Sequence, residues 1–275
     1  MKFLAVAWFL ASILINSKVW AGLDEGVKAY KQRDFNTAVH EYGSAAEKGD
    51  IEAQFILFNM YARGDGVEED FDKASYWLMQ AAEQGHLTSQ MQLAYNYRIG
   101  QGVPADNGKA IYWMTRAAEQ GDAHTQYDLG EEYYLGERVL LDHVQSFTWF
   151  KRAAEQDHSQ AVYMLAVSYL LGKGTPQDEA TAIKWFMRSA KNGDLSSLRF
   201  LGSAFMEGVG VDKDLVKAYS YFFMVASRSE EPESIKNLQK LQAVMTLEQI
   251  THAIKLADQC IASEFSSCEY LTPSS

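Results

Sequence analysis

The sequence predicts an all-α protein, an α/α solenoid (superhelix) of about six helix-loop-helix units of 36 residues with a C-terminal helical cap. Three observations support this prediction. A short sequence motif recurs at a fixed interval, apolar residues recur at helical spacing, and glycine and aspartate recur at the positions where helices would end and begin. The motif reads AAEKGD at 45–50, AAEQGH at 81–86, AAEQGD at 117–122, AAEQDH at 153–158 and SAKNGD at 189–194. A fixed period of this length is typical of stacked structural repeats.

The first helix of each unit, helix A, is predicted from an apolar column. In the unit after Asp50, helix A runs over about 52–63, because Ala53, Leu57 and Tyr61 recur every four residues and share one face. Gly64 follows and can take the left-handed backbone that ends a helix. The same leucine returns in every full unit, as Leu57, Leu93, Leu129, Leu165 and Leu201.

The second helix, helix B, is predicted over about 71–84 in the same unit. Asp70 stands at its N-cap, where a carboxylate accepts hydrogen bonds from free backbone N–H groups. Ala74, Trp77 and Ala81 form its buried stripe. The capping position is aspartate throughout, as Asp34, Asp70, Asp106, Asp142, Asp178 and Asp214. AAEQGD is then the end of helix B, with two packing alanines, a solvated Glu-Gln pair and a glycine stop, so it is architecture and not a catalytic motif.

The sequence divides into four segments. Residues 1–21 are typical of a signal peptide, with Lys2, an apolar run over 3–15 and a cleavage site after Ala21. A membrane anchor is the alternative, although the run is short for a span. Residues 22–50 are predicted to form an N-terminal partial repeat that caps the array, 51–229 the repeat array, and 230–275 a C-terminal helical cap. We therefore expect a periplasmic or secreted protein.

The C-terminal segment loses the 36-residue period. Pro232 begins a helix with apolar residues at 235, 238, 241 and 244, and Thr246 with Gln249 predicts the capped start of another helix. Cys260 and Cys268 are the two cysteines of the chain. In an exported protein such a close pair suggests one disulfide, and two free thiols are the alternative.

The repeat pattern A-x-x-x-L-G/A-x-x-Y-x-x-G-x-G-V-x-x-D-x-x-K-A-x-x-W-x-x-x-A-A-E-x-G resembles the Sel1-like repeat, a relative of the tetratricopeptide repeat. Residues 53–85 and 89–121 match it almost throughout, and the resemblance covers roughly 24–229. It implies a solenoid with a concave binding face and a role as scaffold or adaptor, not as an enzyme. The fourth unit departs from the pattern at Arg138, Ser146 and Asp157, which marks either a specialised surface or drift at tolerant positions.

Composition and motifs argue against other classes of function. The net charge of −11 disfavours nucleic acid as a partner, because phosphate binding requires a basic surface. The six histidines form no H-E-x-x-H motif, and the segment after residue 21 contains neither S-x-x-K nor G-x-S-x-G. His86 and His158 occupy the turn position of Asp50 and Asp122, which suggests a polar turn role. We therefore predict no catalytic residue, no metal site and no cofactor.

The remaining candidate is a binding surface on helix A. By tetratricopeptide geometry, positions two and six residues after the buried leucine belong to the concave face, and their residue types vary freely between repeats. The predicted binding residues are Asn59, Arg63, Tyr95, Ile99, Glu131, Leu135, Val167, Leu171 and Ser203. Aromatic and methionine residues two positions before the leucine either line the same groove or pack against the neighbouring repeat.

The predicted partner is a protein or peptide in the cell envelope or on a host, with no nucleic acid and no stable membrane span in the mature chain. Two other functions remain open. A cell-wall or β-lactam-related enzyme is disfavoured by the absence of a nucleophile–base pair. An accessory component of an envelope machine, such as a flagellar motor, is the third interpretation.

Overall fold

The computed structural model describes residues 23–265 and Cys268, and this part of the chain contains helices and no strand. The predicted signal peptide, residues 1–21, lies outside the described residues. The helices are α1 (residues 23–31), α2 (Phe35–Glu47), α3 (Ile51–Arg63), α4 (Phe71–Glu83), α5 (Leu87–Ile99), α6 (Asn107–Glu119), α7 (Ala123–Leu135), α8 (His143–Glu155), α9 (Ser159–Leu171), α10 (Glu179–Lys191), α11 (Leu195–Glu207), α12 (Leu215–Ala226), α13 (Pro232–Gln242) and α14 (Leu247–Ala262). The predicted all-α fold of repeated helix pairs is confirmed.

Every helix that follows the aspartate column begins as predicted. At α6, for example, Asp106 accepts a hydrogen bond from the Lys109 backbone N–H at 3.0 Å. At α4, the Lys73 backbone N–H and side chain bond to Asp70 and hold the pKa of this carboxyl below its ordinary value. The capping aspartates are Asp34, Asp70, Asp106, Asp142, Asp178 and Asp214. These local bonds fix where each helix B starts.

The glycine stops are also confirmed. The residues that end α3, α5, α7, α9 and α11 all have positive φ angles of left-handed backbone, and they are Gly64, Gly100, Gly136, Gly172 and Gly208. Asp157 replaces glycine after α8 and still adopts φ of 61°. The turn therefore keeps its backbone conformation in this repeat at some steric cost.

The described residues belong to two compact units, Met1–Gly121 and Asp122–Ser275. In the first unit, α2 to α6 pack in sequence, each helix on the next. One core cluster surrounds Leu57 and Met60, and a second contains Leu78, Leu93 and Trp113. Leucine supplies the centre of both clusters, as the periodic pattern predicts.

The tryptophan column is less uniformly buried than the sequence predicts. Trp113 and Trp149 are each 6% exposed, but Trp77 and Trp185 are only half-buried. In the repeats that have an arginine one turn later, its guanidinium covers the ring, as with Arg116 at 5.8 Å from Trp113. The ring thus lies at the edge of the core, with its outer side closed by a cation.

The Glu-Gln pair at the end of helix B is exposed, as predicted, but the glutamine also bonds to helix A, which the sequence did not indicate. Gln84 donates to the buried Gln54 at 2.8 Å, and Gln54 donates in turn to the Ala46 carbonyl at 3.1 Å. Gln120 bonds to Gln90 at 2.8 Å in the same way. The end of helix B is therefore tied to helix A of its own repeat by an amide–amide bond.

The second unit contains α7 to α14. Its repeats pack in sequence through α12, and both α13 and α14 contact α12. Ser220 of α12 donates to the Ala253 carbonyl of α14 at 2.8 Å in the buried interior. Cys260 and Cys268 are both buried, form a bonded pair, and have Cα atoms 5.0 Å apart. The last repeat is thus covered by two helices outside the 36-residue period.

The predicted apolar face of α13 is partly wrong. Leu241 is buried, but Ile235 is 40% exposed and Val244 is 70% exposed. The buried side chains of α13 are Ser234, Asn237 and Leu241, so the inward face is displaced by one residue from the apolar row. Because α13 ends at Gln242, Val244 lies in the turn before α14 and not on the predicted face. The predicted Thr246–Gln249 capping box of α14 is confirmed.

Candidate protein-interaction surface

The nine predicted binding residues lie on the helices A and are all at least partly accessible. The positions six residues after the leucine are the last residues of their helices and are open, with Ile99 50% exposed, Leu135 53% and Leu171 54%. The positions two residues after the leucine are half-buried except Tyr95, which is 44% exposed. Their role in binding stays a prediction.

In the first unit, the predicted residues differ in how free their side chains are. Asn59 donates to the Phe55 carbonyl one turn earlier at 2.8 Å, so its amide is already engaged by its own helix. Tyr95 carries the Arg98 guanidinium over its ring at 5.2 Å. Arg63 and Ile99 are exposed at the ends of α3 and α5. Tyr95, Arg63 and Ile99 are therefore the residues of this unit most available to a partner.

In the second unit, Glu131 is held by Tyr127. The Tyr127 hydroxyl donates to Glu131 at 2.5 Å, and burial together with this bond raises the pKa of the tyrosine. Leu135 and Leu171 remain exposed, and Val167 and Ser203 are half-buried. This surface is thus largely apolar, with one carboxylate fixed in place.

At the position two residues before the leucine, Tyr127 and Tyr163 pack against the second helix of their own repeats. Tyr127 is 8% exposed, lies 5.7 Å from the Phe150 ring and stacks on His158 at 4.9 Å. Tyr163 meets Phe186 edge to face at 5.7 Å. These two phenylalanine contacts join the helices of one repeat, α7 with α8 and α9 with α10, so they do not show the packing against a neighbouring repeat that the sequence left as an alternative.

Two cavities of about 490 Å³ each lie in the second unit, and the predicted residues line neither. The first is lined by Tyr127, Tyr163 and the start of α11, and the second by His124, His158 and Asp157. Ser159, Gln160 and Asn192 belong to both. Sequence reasoning missed these cavities because their walls come from several repeats. The turn position of His158 is histidine also at 86, so His158 alone gave no specific signal.

The two histidines of the second cavity contact each other. His158 Nε2 lies 2.9 Å from His124 Nδ1, and the Ala161 backbone N–H donates to His158 Nδ1 at 3.4 Å. Because Nδ1 accepts that bond, the proton of a neutral His158 is on Nε2, which then donates to His124. Burial first, and the adjacent His124 second, lower the pKa of His158, while Asp122 and Glu131 oppose the shift. His158 thus caps α9 only in its neutral form.

The described residues contain no group of three or more His, Cys, Asp or Glu side chains placed to hold a metal ion. No helix among them is both long enough and apolar enough to cross a membrane. Each capping aspartate accepts hydrogen bonds from backbone N–H groups at the start of its own helix.

Comparison with known proteins identifies the repeat. The Sel1 repeat family matches at residues 51–86, 87–122, 123–158, 159–194 and 195–228. A Sel1 repeat protein from Oxalobacter formigenes is 25% identical over 85% of this chain and 98% of its own, with a TM-score of 0.62.

Two further solved structures are more distant. A protective antigen of uropathogenic Escherichia coli that displays an SLR fold is 24% identical over 94% of this chain and 64% of its own, with a TM-score of 0.46. A Sel1 repeat protein from Klebsiella pneumoniae is 22% identical over 74% of this chain and 99% of its own, with a TM-score of 0.36. No curated protein matches the chain at a significant level. With five consecutive repeats that span more than half of its length, the chain belongs to the Sel1 repeat family, whose repeats commonly mediate protein–protein interactions.

Proposed function

We propose that the chain is an exported, non-catalytic scaffold that binds a partner protein through the exposed positions of its helices A. The observation that carries the proposal is the exposure of Leu135 and Leu171 in the second unit, each about half accessible at the last position of its helix. The buried leucine earlier in each helix already supplies the core contact, so stability does not require an apolar residue at these ends. Exposed apolar side chains at successive repeats are typical of a protein-binding surface.

The family relationship supports the same class of function. The Sel1 repeat fold is typically a non-catalytic interaction scaffold. Export, and with it a partner in the envelope or on a host, rests on the signal-like residues 1–21. Cell fractionation with an antibody to the chain tests this part separately, and a cytoplasmic protein of unprocessed mass would refute it.

The binding surface is tested by site-specific photocrosslinking in the native host. A photoreactive amino acid is placed at Leu135 or Leu171, and in matched controls at Lys151 or Glu155, which are exposed on α8. We expect the same crosslinked protein from positions 135 and 171 and not from 151 or 155. Equal crosslinking from both pairs of positions would show that these helix ends are not a specific surface.

The first unit provides an independent test with Tyr95. Tyr95→Ala removes a ring that is 44% exposed, so we expect the melting temperature to stay within about 2 °C of the wild type. Crosslinking to the partner should fall. A variant that unfolds instead would show that Tyr95 is a packing residue and that this part of the surface was misassigned.

A further inference from the structure

The repeat of residues 123–158, here called the irregular repeat, exposes three apolar side chains close together in the chain. Leu140 is 88% exposed and Leu141 is 56% exposed in the loop between α7 and α8, and Val144 is 61% exposed in the first turn of α8. We call these three residues the loop patch. None of them is among the helix A positions that carry the proposed function.

In the other repeats of this chain, leucine does not recur at the positions that correspond to Leu140 and Leu141. The residues that correspond to Leu140 are Glu68, Pro104, Pro176 and Asp212. The residues that correspond to Leu141 are Glu69, Ala105, Gln177 and Lys213. Because four other copies of the loop fold with these residues, the fold does not require leucine at 140 or 141. The leucines therefore have a cause other than packing within the repeat.

The loop is held in a defined conformation, although it lacks the second glycine. Arg138 takes the place of that glycine, and its guanidinium bonds to the buried Glu132 in a fork, with contacts of 2.6 Å from Nη2 and 2.9 Å from Nε. The chain also folds back on the end of α7, so that a Cβ on Gly136 would lie 2.7 Å from the Leu141 Cβ. A fixed loop presents apolar side chains at a lower entropic cost of binding than a flexible loop does.

The charge around the loop patch is acidic. Residues 131–145 contain Glu131, Glu132, Glu137 and Asp142 but a single cation, Arg138, whose charge is balanced by Glu132. Glu137 is exposed beside the patch, and the Asp142 carboxylate accepts hydrogen bonds from the Val144 and Gln145 backbone N–H groups at the start of α8. The loop thus combines an apolar surface with a negative border.

We propose that the loop patch is a second docking surface, which binds a segment of another protein that carries apolar side chains flanked by Lys or Arg. The apolar side chains of the partner cover Leu140, Leu141 and Val144, and its cations face Glu137 and Asp142. Complementary charge of this kind selects the partner and speeds its association, while the apolar contact supplies most of the affinity. This docking surface does not depend on the helix A positions.

The test uses the full chain and an amphipathic helical peptide of about 14 residues made of leucine and lysine, with a leucine and glutamate peptide as the charge control. Binding is measured by fluorescence anisotropy for the wild type and for the Leu140→Asp/Leu141→Gln variant. These replacements copy Asp212 and Gln177 of other repeats, so the loop should still fold. The matched control is Val244→Asp/Leu247→Gln, which changes exposed residues of the same unit at the α13–α14 turn.

The design separates docking from general attraction between opposite charges. Each double variant adds one negative charge, so unspecific attraction of the lysine peptide should become stronger in both. We expect the loop variant to bind at least about tenfold more weakly and the control variant to bind as well as the wild type or better. The glutamate peptide should not bind.

Three results would overturn the proposal. The first is binding by the loop variant that equals binding by the control variant. The second is loss of binding in Leu171→Gln with the loop intact, which would assign the peptide to the helix A surface. The third is a dimer of the protein alone in sedimentation that the loop variant abolishes, because the patch would then be covered by a second copy of the chain.

Discussion

Replacing Trp113 by alanine tests whether the tryptophan column stabilises the repeats. Trp113 is 6% exposed and belongs to the core cluster that contains Leu78, Leu93 and Tyr97. Removal of a buried tryptophan from a core costs about 3–5 kcal/mol through lost transfer energy and the cavity left behind. Loss of the Arg116 cation–π contact adds up to about 1 kcal/mol, so we expect a decrease of about 3–6 kcal/mol in the free energy of unfolding.

The measurement is urea and thermal unfolding followed by far-ultraviolet circular dichroism. For a chain of this size a loss of 4 kcal/mol corresponds to a decrease of roughly 10 °C in melting temperature. Tyr112→Ala is the matched control, because this neighbouring ring is 52% exposed and its loss should cost less than about 1 kcal/mol. A Trp113→Ala variant that melts within about 2 °C of the control would show that the ring does not stabilise the core.

Two further variants test the second unit. Because the pKa of His158 is lowered in the fold, the unfolded chain binds more protons, and the stability from neutral His158 is present above about pH 6.5 and is lost as the pH falls towards the folded pKa. His158→Asn should reduce the loss of stability between pH 7 and 5 in urea unfolding, whereas His252→Asn, at an exposed position of α14, should not. Equal pH profiles for the wild type and His158→Asn would show that burial and the His124 contact do not lower the pKa of His158. Gly174→Ala places a Cβ against the His143 carbonyl at φ of 75°, so we expect a loss of at least about 2 kcal/mol, and a variant as stable as the wild type would show that the loop can move away.

The fold could be predicted because its signals are local and repeated. An aspartate cap, a glycine stop and a leucine at fixed spacing each act within a few residues, so five copies of the pattern predict five copies of the structure. Arg138, Ser146 and Asp157 did not change this outcome, because the helices around them keep their bounds and Asp157 adopts the backbone conformation of a glycine. Local signals of this kind tolerate single exceptions.

The C-terminal helices show where this reasoning fails. For α14 the predicted start at Thr246 is correct, and Ala253, Ala257 and Cys260 lie inside. For α13 they differ by one residue, because Ser234 and Asn237 lie inward while Ile235 remains exposed. Without a repeat there was only one copy of the pattern, and tertiary contacts with α12 decided which side of the helix is covered.

The surface was predicted less well than the fold, for a related reason. The accessible ends of α5, α7 and α9 follow from helical geometry, so exposure at Ile99, Leu135 and Leu171 could be inferred from the position of the buried leucine. The cavities beside His158 depend on side chains from three helices and on the turns between them. Such walls leave no periodic mark in the sequence, and the histidine at 158 did not indicate them, because the same replacement of aspartate occurs at 86.

The glutamine of AAEQGD shows that a repeated phrase can also record a contact between helices. Glutamine ends helix B at 84, 120 and 156, and in those three repeats helix A carries a glutamine thirty residues earlier, at 54, 90 and 126. In the next two repeats Val162 and Leu198 replace the inner glutamine, and Asn192 and Arg228 stand where the outer one would be. The glutamine on helix A is buried, so its amide needs a hydrogen-bond partner. The glutamine at the end of helix B adds little stability without that bond, so the two glutamines are present or absent together. The phrase therefore ends a helix through its glycine and joins the two helices of one repeat through its glutamine.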